Sequence, residues 1–324
     1  MPHAVLITGA GTGFGLATAL LLAKRGYRVY ASVPDLGQQE AVMAAAAEHQ
    51  VSPHVLQLDV TDPASIQSAV NTVVAESGGI YGLVNSAGLG LRGFFEDLSE
   101  TEIRRLFEVN VFGVMAVTRT VLPHMRAAHC GRIVIISSAG GRIAAMTLSG
   151  YCAGKFALEG FGESLAIEVA PLGVRVSLVE PGPVMTPHFT ANRGRAKAAV
   201  DPKSPYYTWF IQHEQLVDGI LHARRITPAD VAHTVYRALQ ARRPRLHYVV
   251  GRGAKLLIAL RRYLPGELFE RLYFGLAIRL VTKPRTPARG LDELSLPGNR
   301  STDYLALGPV ETEAKSNARI TQDH

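Results

Sequence analysis

Short, almost continuous apolar stretches recur along the chain and are separated by longer segments whose apolar positions follow helical spacing. The short stretches are typical of strands buried on both faces of a parallel sheet, and the longer segments of helices that cover such a sheet. The pattern predicts the α/β class: a single doubly wound, Rossmann-type domain with helices on both faces. The predicted strands are Ala4–Ile7, Arg28–Ser32, His54–Leu58, Gly82–Asn85, Arg132–Ile136, Arg175–Val179 and Leu246–Val250.

Two helices can be placed from local signals. An apolar, alanine-rich run predicts a helix from Leu16 to Arg25. Thr227 is a good cap, Pro228 suits the first helical position, and the helix is predicted to reach about Ala241.

A longer helix is predicted from about Thr101 to Met125, with Pro123 ending or bending it. Asn110 lies in its middle, where asparagine is a poor helix former. The asparagine therefore indicates either a local break in the helix with a functional reason or a plain exposed side chain.

A glycine-rich turn, Thr8-Gly9-Ala10-Gly11-Thr12-Gly13-Phe14-Gly15, joins the first predicted strand to the first predicted helix. Glycines allow a tight turn and close approach of a ligand, and a helix start presents free N–H groups to an anion. Placed between a strand and a helix, the turn predicts a pyrophosphate site.

Length and composition are those of a globular protein with one large core: 324 residues, 47% hydrophobic and 19% charged. The two cysteines, Cys130 and Cys152, and the eleven histidines show no metal-ligand spacing, so no metal is predicted and the histidines are read as surface and packing residues. No signal peptide and no apolar run of about 18 residues is evident, which favours a cytoplasmic location without a transmembrane segment.

Charge is distributed unevenly. Residues 1–180 carry 12 Lys and Arg against 15 Asp and Glu, a net −3, whereas residues 181–324 carry 22 against 12, a net +10. No nucleic-acid-reading motif accompanies the basic half, so a solvated basic face is favoured over nucleic-acid binding.

Ser138 follows the predicted strand Arg132–Ile136, and Tyr151 and Lys155 open the next helical segment. A spacing of four residues puts the phenol and the ammonium on one helix face. A cation within reach favours the phenolate, so Lys155 is expected to lower the pKa of Tyr151 toward neutral pH, with Ser138 bonding the reacting oxygen. The spacing also arises by chance, and its weight depends on the motifs upstream.

Seven motifs follow one another in register: Thr8-Gly9-x-x-x-Gly13-x-Gly15, Asp59-Val60, Asn85-Ser86-Ala87-Gly88, Asn110, Ser138, Tyr151-x-x-x-Lys155 and Pro181-Gly182. In these motifs the chain resembles the classical short-chain dehydrogenase/reductase family, from about Ala4 to Thr186 and more loosely to Gly251. Within that family, residues 151–160 and 180–184 look most like the hydroxysteroid and retinol dehydrogenase branch.

The resemblance implies catalytic roles for Asn110, Ser138, Tyr151 and Lys155. Tyr151 would be the general acid/base, and Lys155 would lower its pKa and hold the nicotinamide ribose. Ser138 would orient the substrate oxygen, and Asn110 would hold a water linked to Lys155. The implied cofactor-binding residues are Thr8, Gly9, Gly13, Phe14, Gly15, Val33, Asp59, Val60, Asn85, Ala87, Gly88, Tyr151, Lys155, Pro181, Gly182, Val184 and Thr186. Among them, Asp59 would meet the adenine, and the last four would cover the nicotinamide.

The chain departs from the family pattern at three places. Ser86 replaces the usual second asparagine, and Gly154 replaces the usual serine before the active lysine. The end of the second strand, Ser32-Val33-Pro34-Asp35, carries neither the acidic residue typical of NAD enzymes nor the arginine typical of NADP enzymes. A 2′-phosphate wants cationic partners, so the cofactor is NAD or NADP with a lean towards NAD, although Lys24 and Arg28 could reach it from elsewhere.

The C-terminal part divides into three predicted segments. Residues 187–225 are expected to form a substrate lid, in which the aromatic cluster Tyr206-Tyr207-x-Trp209-Phe210 suits an apolar ligand or packs as an ordinary loop. Residues 252–282 form a helical extension that closes the substrate pocket, pairs with another subunit, or lies on a membrane surface. Residues 283–324 are expected to be a poorly ordered polar tail, outside the domain of residues 1–282.

The resulting functional prediction is an NAD(P)-dependent oxidoreductase that interconverts an alcohol and its ketone or aldehyde on a bulky apolar, steroid- or retinoid-like substrate. The alternatives are a catalytically idle cofactor-sensing or scaffold protein and a nucleotide-sugar chemistry, the latter disfavoured because its longer substrate domain is missing. Family habit suggests a homo-oligomer, a dimer or tetramer, that pairs through the Thr101–Met125 and Tyr151–Ala170 helices, with peripheral membrane contact as a further option.

Overall fold

The computed structural model describes residues 2–184, 194–222 and 226–282. Seven parallel strands form one sheet in the order β3-β2-β1-β4-β5-β6-β7. The strands are β1 (Ala4–Ile7), β2 (Arg28–Val33), β3 (His54–Gln57), β4 (Gly82–Asn85), β5 (Gly131–Ile136), β6 (Val174–Pro181) and β7 (His247–Val250). The predicted doubly wound parallel sheet is therefore confirmed.

Helices cover both faces of this sheet. They are α1 (Gly13–Lys24), α2 (Gln39–Glu48), α3 (Pro63–Ser77), α4 (Glu100–Phe107), α5 (Val114–Ala127), α6 (Ser149–Val169), α7 (Tyr207–His222), α8 (Pro228–Gln240), α9 (Arg252–Tyr263) and α10 (Gly266–Thr282). One apolar core lies between the sheet and α3, α5 and α6, and a second lies between the sheet and α1, α2 and α8.

Strand order reverses beside β1, since β1 pairs with β2 on one side and with β4 on the other. The loops that leave the carboxyl ends of β1 and β4 then run to opposite faces and leave a crevice between them. In open α/β sheets a ligand binds in such a crevice. The topology thus brings the glycine turn after β1 beside the loop after β4.

The predicted helix from Thr101 to Met125 is interrupted where Asn110 lies. Residues Glu108–Gly113 form a π-helical turn between α4 and α5. Pro123, which was predicted to end or bend the helix, does not end it, since α5 continues to Ala127. Proline removes one backbone bond, but Val121 and Met125 are fully buried in the core and keep the helix in place across it.

The whole segment from Glu100 to Ala127 is long and apolar enough to cross a membrane by length and composition, which the sequence analysis did not expect. Half of its most apolar window is buried inside the fold. Burial of that kind is typical of a core helix in a globular domain.

The C-terminal part is more helical than its sequence indicated. The predicted irregular lid contains the helix α7, while residues 187–193 and 223–225 of that segment lie outside the described residues. Phe210 and Ile211 of α7 are buried, which explains why a polar-looking segment folds as a helix. The predicted extension forms α9 and α10, and the predicted tail, residues 283–324, lies outside the described residues.

Candidate active site

Two glycines of the turn after β1 stand where a side chain would not fit. Gly9 has a φ of +66°, and a Cβ there would lie 2.6 Å from the Cα of Ala87. A Cβ on Gly15 would collide with the carbonyl oxygen of Gly9. Gly13 also has positive φ, but no atom lies within 4 Å of its Cβ position, so open space faces the start of α1.

The first turn of α1 carries no side-chain cap, because the N-cap residue Thr12 makes no side-chain hydrogen bond. Four backbone N–H groups at a helix start lack partners within the helix, and a pyrophosphate can satisfy them. Phe14 stands in this first turn and is partly buried. The turn therefore has the geometry that the predicted dinucleotide site requires.

Thr8 joins the ends of β1 and β4. Its Oγ1 accepts hydrogen bonds from the backbone N–H groups of Ser86 at 3.0 Å and Ala87 at 3.1 Å. The side chain is therefore used to fix the Asn85-Ser86-Ala87-Gly88 loop. Asn85 is buried and donates from Nδ2 to the Thr118 hydroxyl at 3.0 Å, which anchors the same loop to α5.

Asn110 holds the next residue of that loop. Its side-chain amide donates to the carbonyl oxygen of Leu89 at 2.8 Å and accepts from the Leu89 N–H at 2.7 Å. The residue is fully buried in the π-helical turn, an irregularity that is frequent at functional sites. The amide thus fixes the loop after β4, and the water-holding role implied by the family resemblance stays a prediction.

Three of the predicted cofactor-binding residues lie at or just after the ends of β2 and β3. Val33 is buried at the end of β2. Asp59 accepts at Oδ1 from the N–H and the hydroxyl of Thr61, both at 2.8 Å, so part of its carboxylate stabilises a turn. Val60 is buried and lies close to Gly113. A Cβ on that glycine would lie 2.7 Å from Cγ2 of Val60. Their predicted contacts with a cofactor remain predictions.

Ser138, Tyr151 and Lys155 converge at the carboxyl end of β5. Ser138 begins the short turn after the strand, and its Oγ accepts from the N–H of Gly140 at 3.0 Å. A Cβ on Gly140 would lie 3.4 Å from the Ser138 Oγ and 3.5 Å from Cε1 of Tyr151, so the two side chains flank that glycine. Lys155 Nζ donates to the carbonyl oxygen of Ile136 at 2.9 Å and lies 5.7 Å from the Tyr151 ring centroid.

Burial dominates the titration of both groups on α6. It raises the pKa of Tyr151 to about 12, against a lowering by the Ser138 hydroxyl. It lowers the pKa of Lys155 to about 8, against a rise caused by the Glu159 carboxylate. The expected lowering of the Tyr151 pKa by Lys155 is therefore not found here, because desolvation by burial is the largest influence on the phenol and raises its pKa.

The nicotinamide-side residues follow β6. Pro181 ends the strand, and the N–H of Gly182 donates to the carbonyl oxygen of Val250 at 2.9 Å. A Cβ on Gly182 would lie 3.0 Å from the Cβ of Ala254 in α9, so the extension packs behind this segment. Val184 is fully buried, and the predicted contact Thr186 lies outside the described residues.

An apolar cluster adjoins Tyr151. Buried residues of the loop before α4, of α4 and of α7 form it, and Tyr151 packs against it. Glu214 of α7 is buried and pairs with Arg92 at 3.0 Å and with Arg195 at 2.9 Å, which fastens α7 over the cluster. The side of the site that faces α7 is thus predominantly apolar. The buried members are Leu91, Leu98, Leu106, Ala196, Ala199, Phe210 and Ile211.

A charged cluster that the sequence analysis missed is formed by residues of the loop after Ser138, of α6, of β6 and of β7. Its members are Arg142, Glu159, Glu180 and His247. Arg142 Nη1 lies 3.0 Å from Glu180 Oε1 and 3.8 Å from Glu159 Oε2. His247 Nδ1 lies 2.7 Å from the same Glu180 oxygen and 3.5 Å from Glu159. The sequence analysis treated His247 as one of the ordinary surface and packing histidines and did not predict this cluster; its one signal in the sequence was a glutamate, Glu180, at the end of an apolar strand.

Within the described part of the chain, Glu159, Glu163 and His247 place their ligand-type atoms within 4.8 Å of one another. These side chains take part in ion pairs, since Glu159 also lies near the Arg142 guanidinium. A cation beside a metal position opposes metal binding. An open cleft of about 800 Å³ between α8, β7 and α9 contains none of the predicted site residues.

Sequence comparison matches the chain to a known family. Residues 3–197 match the family described as short chain dehydrogenase. Human retinol dehydrogenase 5 is 35% identical over 280 residues, covering 82% of this chain and 86% of that protein. Human 17-beta-hydroxysteroid dehydrogenase type 1 is 36% identical over 252 residues, covering 75% of this chain and 76% of that protein.

Solved structures are similar as well. A short-chain dehydrogenase from Streptomyces avermitilis is 32% identical with a TM-score of 0.70, covering 85% of this chain and 98% of that one. A metagenomic short-chain oxidoreductase in complex with NADP is 27% identical with a TM-score of 0.60, covering 76% and 96%. One from Burkholderia phymatum in complex with NAD, at 24% identity and a TM-score of 0.71 over 90% and 98%, is similar in fold.

Proposed function

The chain belongs to the short-chain dehydrogenase/reductase family and is an NAD(P)-dependent oxidoreductase with relatives among retinol and hydroxysteroid dehydrogenases, and from this premise we propose that it interconverts a bulky apolar alcohol and its ketone or aldehyde. One observation carries the proposal. Ser138, Tyr151 and Lys155 meet at the end of β5 beside an apolar cluster.

Tyr151 exchanges a proton with the substrate oxygen in the proposed mechanism. Its high pKa suits donation to a developing alkoxide, since the phenol is protonated at neutral pH. Ser138 donates its hydroxyl proton to the same oxygen and orients it. The Lys155 ammonium, which donates to the Ile136 carbonyl oxygen, supplies positive charge near the phenol.

The residues present fit a nicotinamide dinucleotide. The uncapped start of α1 and the space before Gly13 suit the pyrophosphate, and Lys155 is placed to bond a ribose hydroxyl. When bound, the cofactor supplies or accepts the hydride. The fixed loop from Asn85 to Leu89 and the segment from Pro181 to Val184 orient it against the substrate.

NAD is the proposed preferred form. Arg28, which sequence reasoning offered as a phosphate partner, donates to the Glu76 carbonyl at 2.7 Å and to its carboxylate at 3.3 Å. Lys24 lies eleven residues beyond Gly13, about 16 Å along α1 at 1.5 Å per residue. Neither cation is placed at the end of β2, where a 2′-phosphate would want one.

The apolar character of the substrate rests on the cluster beside Tyr151 and on the names of the relatives. Steroids and retinoids bury mainly hydrocarbon, and the wall formed by Phe210 and Ile211 offers that surface. α7 acts as the substrate lid and α10 closes the pocket beside residue Ala144, to which Tyr273 donates a hydrogen bond at 3.2 Å.

Assembly and location are part of the proposal. Phe112, Phe156 and Ile167 are exposed on the π-turn and α6, which is consistent with a homodimer or homotetramer that pairs through these elements. We propose a cytoplasmic location, with peripheral membrane contact as a further option.

A panel assay tests the function. Purified protein is given NAD(H) or NADP(H) with steroids, retinoids and short aliphatic alcohols, and the absorbance of the reduced nicotinamide is followed. Turnover is expected on the large apolar compounds and with lower KM for NADH. Cofactor binding with no turnover on any compound would favour the idle cofactor-sensing alternative instead.

A further inference from the structure

The helical extension, α9 and α10, exposes a large share of the apolar surface. Eight of the fifteen exposed large hydrophobic side chains among the described residues lie on these two helices. Tyr263 is 78% exposed, Leu256 62% and Leu272 60%. Leu268, Leu272 and Leu276 recur every four residues and so share one face of α10, and exposed apolar side chains grouped in this way mark an interaction site. We call the exposed faces of Arg252–Tyr263 and Gly266–Thr282 the extension surface.

The opposite faces of the same helices are docked on the domain. Phe269 and Val281 are buried, and Arg261 donates from Nη1 to the carbonyl oxygen of Arg142 at 2.6 Å. Tyr273 bonds the carbonyl of Ala144, as described above. The extension surface is therefore held outward by contacts on its other side.

Basic residues accompany the apolar ones on α9 and α10, five of them in addition to Arg261, which bonds the domain. Residues 252–282 contain six Lys and Arg against two Asp and Glu, a net +4, and all six cations are exposed. Apolar side chains beside exposed cations are the composition of a helix that lies in an anionic membrane interface. The six are Arg252, Lys255, Arg261, Arg262, Arg271 and Arg279.

We propose that the extension surface binds the surface of a membrane that contains anionic phospholipids. The inference rests on the proposed function, because apolar alcohols and ketones partition into bilayers. Ala144 and Arg142, which α10 and α9 contact, follow Ser138 in the chain by six and four residues. Membrane binding would therefore place a source of apolar substrate next to the loop that leads from the catalytic serine.

Charge favours the membrane over two other occupants. A second copy packed face to face would bring two extension surfaces together, each with a net charge of +4, and these would repel each other. Residues 283–324 of the same chain carry six cationic and six acidic residues and so supply no net complement. Anionic headgroups supply it directly, at about 1 kcal/mol for each basic residue near the surface.

The test uses the full-length protein and cosedimentation with vesicles of phosphatidylcholine alone or with about 30% phosphatidylserine. Binding is expected to the anionic vesicles and to fall as salt is raised. The double variant Leu272→Asp/Leu276→Asp should lower the partition coefficient on the order of tenfold or more. Arg271→Glu should lower it roughly fivefold or more.

Met43→Asp is the matched control, since Met43 is an exposed apolar helix residue of α2 far along the chain from the extension. It should sediment like the unaltered protein. No binding to anionic vesicles, or equal binding by the double variant, would overturn the proposal. A variant that binds vesicles normally but dissociates an oligomer in light scattering would show that a second copy covers the surface.

Activity on a detergent-solubilised apolar substrate separates this inference from the proposed function. Turnover without vesicle binding contradicts the membrane proposal alone. Vesicle binding without turnover on any substrate contradicts the proposed function alone.

Discussion

Nδ1 of His247 lies 2.7 Å from Oε1 of Glu180, at the end of the strand that leads into the predicted nicotinamide segment. Its other ring nitrogen, Nε2, lies 3.4 Å from Glu163. Because carboxylates face both nitrogens, the ring is held as an imidazolium. Glu159 and then Glu180 raise the pKa of His247 to about 9, although burial and Arg142 oppose them.

Stability should fall at alkaline pH because of this histidine. The pKa of His247 is near 9 in the folded state against an ordinary value of 6.5. Its contribution to the free energy of unfolding is therefore fully present below pH 6.5 and is lost as the pH rises through about 9. His247→Gln should therefore lower the free energy of unfolding by ~1–3 kcal/mol at pH 6 and hardly at all at pH 10. Urea unfolding at several pH values measures the difference. His233→Gln, an exposed histidine on α8, is the control, and equal losses at both pH values in His247→Gln would contradict the prediction.

Glu159 should control the charge of Lys155. The two residues are one turn apart on α6, both are buried, and the Glu159 carboxylate raises the lysine pKa that burial lowers. Arg142 from the loop after Ser138, Glu180 from β6 and His247 from β7 face the same carboxylate or its partners. Glu159→Gln should move the alkaline limb of the kcat/KM profile to lower pH.

Glu163→Gln serves as the control for that shift, since Glu163 is one turn further along α6 and half exposed. An unchanged pH profile in Glu159→Gln, with activity merely reduced, would show that Glu159 is only structural.

Tyr151 should be indispensable for turnover and dispensable for cofactor binding. General acid–base catalysis contributes typically ~10²–10⁴-fold, so Tyr151→Phe should lose that factor in kcat and keep its affinity for NADH by fluorescence titration. Lys155→Met should lower both kcat and the affinity for NADH, because Lys155 bonds the ribose in the proposed site. A phenylalanine variant that retained a tenth of the activity would end the assignment.

Cofactor choice should respond to the end of β2 and not to its start. The unaltered enzyme should show a KM for NADH well below that for NADPH, and Pro34→Arg should improve NADPH use by roughly tenfold by supplying a cation for the 2′-phosphate. Arg28→Met should leave the preference unchanged, since that guanidinium is held by Glu76. A tenfold lower KM for NADPH in the unaltered enzyme would reverse the prediction.

The contact between α10 and the loop after Ser138 should matter for large substrates. Tyr273→Phe removes the hydrogen bond to Ala144 and should raise KM for a steroid or retinoid several-fold while KM for NADH stays constant. Truncation after Arg252 should do so more strongly. Phe274→Tyr, an exposed neighbour on the same helix, is the matched control.

The strands and the glycine turn could be read from the sequence because their causes are local. Apolar runs placed every strand to within two residues of its observed bounds, and the turn after β1 needs glycine for reasons of backbone shape alone. The π-helical turn at Asn110 was indicated only as a break, because its cause is a bond to Leu89 twenty-one residues away.

The charged cluster was out of reach of sequence reasoning. Arg142, Glu159, Glu180 and His247 come from a loop, a helix and two strands that span more than a hundred residues. The predicted shift of the Tyr151 pKa was wrong in direction for a related reason. Spacing on a helix gives the distance to Lys155, whereas desolvation depends on what the rest of the fold packs around the phenol.

The position of β1 in the sheet has a consequence for how fast the protein folds. Val5 pairs with Gly82, which lies 82 − 5 = 77 residues further along the chain, and every other strand pairing also needs a crossover. Closing long loops costs entropy before the paired strands return any stability, so parallel sheets of this kind fold slowly. Because Thr8 holds Ser86 and Ala87, the dinucleotide crevice cannot form until β1 and β4 have paired. A cofactor that binds there should therefore speed only the refolding steps that follow this pairing.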